Sequence, residues 1–156
     1  MPALAAADVL LFLFGQPGLA SEELSAGIPL APSDPDYNFF LGRSLFATGK
    51  YREAIGYLQN VPQRYSQYIE GRIILARSYA VLGENKRAEE ILNRIQDQNP
   101  LEINSCIDLA KLYEGSRETP TALTQWQRCY QIYRSNPQAY GQAGEEIGQA
   151  LQRLQH

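Results

Sequence analysis

"LFATGKYREAIGYL" (Leu45–Leu58) and "YAVLGENKRAEEIL" (Tyr79–Leu92) align without a gap at a shift of 34 residues. Extending that shift fills further columns: Leu41, Leu75 and Leu109; Gly42, Ala76, Ala110 and Gly144; Leu45, Tyr79, Tyr113 and Ile147; Ala54, Ala88 and Ala122; Leu58, Leu92 and Trp126. Agreement over this many columns marks an internal repeat. Within each unit, apolar and small positions recur every three or four residues, the spacing of amphipathic helices. Gly49 and Gly83 break the pattern mid-unit, so each unit reads as two antiparallel helices joined by a turn. The glycine–alanine column lets the first helix approach a neighbour closely, and the alanine column does the same from the second helix. A bulky residue in either would overpack the contact at a cost of ~1–3 kcal/mol.

The pattern resembles the tetratricopeptide repeat family, whose 34-residue consensus is W-x2-L-G-x2-Y…A-x3-F…P. "LGRSL" (Leu41–Leu45) carries the L-G pair, while "LARSY" (Leu75–Tyr79) and "LAKLY" (Leu109–Tyr113) keep the tyrosine and place alanine for glycine. Ala54, Ala88 and Ala122 fill the alanine place, with Leu58, Leu92 and Trp126 in the aromatic place; Pro100 is the closing proline. The leading tryptophan is missing throughout, and Ser66 and Arg134 depart from the proline. The resemblance implies an all-α fold, an α-solenoid of antiparallel helix pairs. The register sets units at 35–68, 69–102 and 103–136, and a degenerate first unit at 1–34 with Gly15, Ala20 and Leu24 in phase. Asp34-Pro35 and Asn136-Pro137 each supply an N-cap before a proline at the first helical position. Residues 137–156 read as a capping helix without the mid-unit turn. Its apolar face would be Tyr140, Ala143, Ile147, Leu151 and Leu154, closing an array that must end on a polar surface.

Composition narrows the chemistry. The formal net charge of −3 offers no overall attraction to nucleic acid or an anionic membrane. The only histidine is His156, so no catalytic triad or histidine-containing zinc site can be built inside the fold. Gly15-Gln16-Pro17-Gly18 has no following Lys-Ser/Thr and is not a phosphate loop. No convergent nucleophile, base or metal set is found, so the chain is expected not to be an enzyme and to need no cofactor or metal. Cys106 and Cys129 are too few for a disulfide framework and are expected as free buried thiols, consistent with a cytoplasmic protein.

The first stretch, "ADVLLFLFGQPG" (Ala7–Gly18), is expected to be a first-repeat helix. A processed secretory signal is the alternative, but no Lys or Arg precedes Arg43. A membrane span needs ~20 apolar residues, and Gly15, Gln16 and Pro17 end the run early. Val9, Leu10, Phe12, Leu13 and Phe14 nevertheless wrap the helix in apolar side chains. They are a candidate docking surface for a partner or a second copy.

In the resembled family, the first helices line a concave face that binds peptide segments, and the ninth position of each unit points into it. By that correspondence Arg43, Arg77 and Lys111 give three successive units a cation, while Phe39, Ile73 and Ile107 at the fifth position and Phe46 line the groove. The expected function is a protein–protein scaffold or adaptor. Its partner segment would carry acidic and hydrophobic side chains, gripped by charge-assisted hydrogen bonds. A secretion-type chaperone, or a subunit that self-assembles through the N-terminal helix, is the alternative. The chaperone-type clamp on a terminal carboxylate is not implied, because its asparagines are missing. Recognition of nucleic acid by a helical-repeat code is disfavoured by the period and by the modest basic content.

Overall fold

A computed structural model describes residues 14–27 and 32–155. Among them are nine helices and no strand: α1 (Pro17–Gly27), α2 (Pro35–Ala47), α3 (Tyr51–Leu58), α4 (Tyr68–Val81), α5 (Asn85–Gln98), α6 (Ile103–Gly115), α7 (Thr119–Ser135), α8 (Pro137–Tyr140) and α9 (Ala143–Leu154). The chain divides into two units, Met1–Glu84 and Asn85–His156, each with its own core.

In the first unit, the Asp34 carboxylate accepts hydrogen bonds from the N–H groups of Asp36 (2.8 Å) and Tyr37 (3.3 Å), starting α2 as the Asp-Pro pair predicts. The helix ends in a turn that recurs along the chain. The Lys50 N–H donates to Leu45 O (2.8 Å) and that of Gly49 to Phe46 O (3.0 Å), with Gly49 at φ 81°. Thirty-four residues on, Glu84 donates to Tyr79 O (2.9 Å) and Gly83, at φ 78°, to Ala80 O (3.0 Å). These bonds satisfy the last carbonyls of each first helix, and the left-handed residue is what ends the helix there. Gly15, in the same column, has φ 59°. In the second unit the column holds Arg117, whose N–H donates to Glu114 O (3.0 Å) at φ 61°. An L-residue there costs ~1–2 kcal/mol that glycine avoids.

The first unit's core contains Ala20, Leu24, Phe39, Leu41, Leu45, Ala54, Leu58 and Val61, with the small and alanine columns at the helix contacts. Ala20 and Leu24 are buried where the backward register puts them.

The second unit starts α6 on the Glu102 carboxylate, which accepts from the N–H groups of Asn104 (3.3 Å) and Ser105 (2.5 Å). Its core is Ile103, Cys106, Ile107, Ala110, Trp126, Cys129, Ile132, Ile147 and Ala150, flanked by Tyr140, Ala143, Leu151 and Leu154. Trp126 Nε1 donates to Glu114 Oε1 (2.6 Å), and the Arg153 guanidinium grips the same carboxylate at 2.9 and 3.0 Å. Tyr113 donates to Glu89 (2.9 Å). Burial, and then the carboxylate beside it, raise the phenol above its ordinary pKa.

Two expectations are corrected here. Cys106 and Cys129 are not free thiols; they are joined as a disulfide between α6 and α7. The capping segment is not one continuous helix either. Gly141, at φ 47°, separates α8 from α9. The break turns Ile147 and Ala150 into the core, while Tyr140 still packs against it.

Candidate peptide-binding surfaces

The groove residues expected from the sequence fall in both units. In the first unit, Arg43 on α2 lies 3.5 Å from Glu70 on α4, with side chains 27% and 50% exposed. An ion pair this open is worth ~0–1 kcal/mol. Arg77 is exposed on α4. Phe46 is half-buried, its ring 5.4 Å from that of Tyr51 in an edge-on contact. Phe39 and Ile73 are buried, with Phe39 fully so.

Their burial corrects the expected lining. The Phe39 ring sits beside Phe40 and Tyr65 and against Gly71, where an added Cβ would lie 3.4 Å from it. It fills a slot left by the missing glycine side chain and offers no surface to a ligand. Asp36, Glu70 and Asp108 are the acids that the sequence offers as local partners for Arg43 and Arg77, and Arg43 does pair with Glu70. Asp36 accepts a hydrogen bond from the Tyr65 hydroxyl (2.5 Å), which occupies one of its oxygens.

In the second unit, Lys111 on α6 pairs with Glu146 on α9 at 2.5 Å, both about half-exposed. Ile107 belongs to the core, although it also lines an open cleft of about 620 Å³. Leu101 and Glu102, Asn104 on α6, and Tyr140, Gln142 and Glu146 from the C-terminal segment are among the other residues that line it. The Tyr140 hydroxyl donates to Leu101 O (3.1 Å), holding the rim. Leu101 is 58% exposed. Sequence reasoning missed this cleft: Leu101 directly follows the closing Pro100, but the break at Gly141 that brings Tyr140 to it leaves no trace in the apolar spacing.

Phe14 is 63% exposed ahead of α1. The other residues of the expected apolar docking surface, Val9, Leu10, Phe12 and Leu13, lie outside the described residues. Among the described residues, no group of His, Cys, Asp and Glu is arranged to hold a metal ion, and no helix is long and apolar enough to cross a membrane.

Comparison with known proteins agrees with the repeat geometry. Two tetratricopeptide repeat family models match residues 4–69 and 45–105. No curated protein matches. Among solved structures, the tetratricopeptide-like repeats of a kinesin light chain from Podosopora anserina share 19% identity at a TM-score of 0.76, covering 98% of this chain and 83% of that one. A thermophilic tetratricopeptide repeat protein of Thermus thermophilus shares 20% at 0.70, covering 98% and 79%. MamA shares 17% at 0.74, covering 97% and 84%. At such identities the likeness is one of fold, and that fold is the α-solenoid of helix pairs. With two family models together covering residues 4–105 and the positive-φ turns recurring in register, the chain belongs to the tetratricopeptide repeat family.

Proposed function

We propose that the chain is a non-enzymatic scaffold that binds a segment of a partner protein on the first-helix faces of its repeats. The observation that carries this reading is the recurrence of a cation at one position of three successive first helices: Arg43, Arg77 and Lys111. The acids beside Arg43 and Lys111 are both half-exposed, so a ligand carboxylate can exchange with them. Because Phe39, Ile73 and Ile107 are buried, the apolar share of recognition falls instead to Phe46 in the first unit and to Leu101 and Tyr140 in the second. The partner segment suited to these surfaces carries carboxylates interspersed with aliphatic or aromatic side chains.

The test is a pull-down from source-cell lysate, read by mass spectrometry, with the native chain and with Arg43→Glu/Arg77→Glu/Lys111→Glu. Circular dichroism and an unfolding curve confirm that the variant is folded. Each lost charge-assisted hydrogen bond is worth ~1.5–3 kcal/mol, so partner affinity is expected to fall at least about 100-fold. A partner held equally by both proteins would sink the cationic contacts and move attention to the apolar N-terminal residues.

A further inference from the structure

We propose that the Cys106–Cys129 bond is a structural staple acquired in an oxidising compartment, and that the second unit falls short of its full stability wherever thiols are kept reduced. The two cysteines face each other across the α6–α7 hairpin with Cα atoms 5.7 Å apart, within the range a disulfide spans without moving the backbone. Both are fully buried, in one cluster with Ile103, Trp126, Ile132 and Ile147. A redox-sensing pair needs a thiolate that solvent and exchange partners can reach, and this pair is closed to both. Its burial fits a bond made once and kept.

A second observation points the same way. The α6–α7 turn has Arg117 in the left-handed conformation, at the register position that Gly49 and Gly83 hold earlier in the chain. The hairpin with the costlier turn is the one that carries a cross-link. The two cysteines are 23 residues apart, so the bond removes a sizeable loop entropy from the unfolded chain. They are also the only cysteines of the 156 residues, which leaves no wrong intrachain pairing to compete.

The bond forms by exchange with an oxidant that is itself a disulfide, either a protein or a small molecule. One cysteine thiolate attacks a sulfur of the oxidant, giving a mixed disulfide and expelling one oxidant thiolate. The second cysteine thiolate then attacks the first cysteine's sulfur and expels the other. Two protein thiols are oxidised, the oxidant disulfide is reduced to two thiols, and the two protons lost by the cysteines are taken up by the thiolates released. Since both sulfurs are buried in the folded unit, exchange takes place before the hairpin closes or during local opening.

Two measurements on the full chain test this. Source cells are quenched in acid, and the denatured chain is treated with N-ethylmaleimide and weighed intact. Most of it is expected to carry no adduct directly and two adducts after reduction; a majority carrying two adducts without reduction would overturn the proposal. Thermal unfolding then compares the oxidised chain, the chain reduced with a phosphine, and Cys106→Ala/Cys129→Ala. Reduction is expected to lower the transition by about 10 °C, with the double variant insensitive to reductant. Chemical reduction of the native sequence keeps the test valid if the variant does not fold. Unchanged unfolding on reduction would show that the bond is no staple.

Discussion

Trp126→Ala is expected to lower stability by about 3–5 kcal/mol, the range for deleting a fully buried aromatic ring. Trp126 is 1% exposed and stands at the centre of the second unit's core, in contact range of side chains from α6, α7 and α9. Its removal leaves a cavity in the cluster that also holds Cys106, Ile132 and Ile147. It also takes the Nε1 donor from Glu114, whose carboxylate is then left with Arg153 alone. A loss of this size is comparable with the whole stability of a small domain. Urea unfolding read by circular dichroism measures it. Trp126→Phe separates the two contributions, since it keeps most of the ring volume and removes only the donor. That variant should lose about 1–2 kcal/mol. A Trp126→Ala loss below about 1 kcal/mol would mean that the ring is not the keystone of this core.

The second large effect is a pair of opposite signs at two helical glycines in the first unit. Gly42 on α2 is buried, and an added Cβ would lie 2.6 Å from Leu58 Cγ and 3.4 Å from Ala54 O on α3. Leu58 is itself fully buried, so either its side chain must repack or the two helices must move apart. Overpacking costs ~1–3 kcal/mol, and the better helix propensity of alanine returns up to ~1 kcal/mol. Gly42→Ala is therefore expected to lose about 1–2 kcal/mol net, and Gly42→Leu about 3 kcal/mol or more. Gly56 lies on α3, exposed, with nothing within 4 Å of an added Cβ. There the propensity gain stands alone, and Gly56→Ala should stabilise by about 0.5–1 kcal/mol. Stabilisation at both positions in urea unfolding would show that α2 and α3 do not meet closely at Gly42.

Much of this architecture was legible because the repeat fixes a register. The turns at Gly49 and Gly83, the buried Ala54, Ala88 and Ala122, and the Asp34 cap all sit where spacing and side-chain chemistry require. Repeated columns do not tell which apolar residues a ligand can reach. Phe39 sits in a column that reads as groove lining, yet Gly71, distant in sequence, opens a slot that swallows it. The disulfide was half legible. Cys106 lies eleven residues before Arg117 and Cys129 twelve after it, so an antiparallel hairpin turning at Arg117 brings them level. Oxidation state, however, leaves no mark in spacing. The cleft at Leu101 depended on the break at Gly141, and a single left-handed glycine disturbs the apolar period of α9 too little to announce itself.

The central claim is that partners bind the first-helix faces, and site-specific photocrosslinking in the source cells tests it most directly. A photoreactive residue replaces Arg77 on α4 in one strain and Arg52 on α3 in another; both positions are exposed and lie in the same unit. The account predicts a discrete cross-linked adduct from position 77 after irradiation and none from position 52. An adduct from position 52 with none from position 77 would place recognition on the second helices and contradict it.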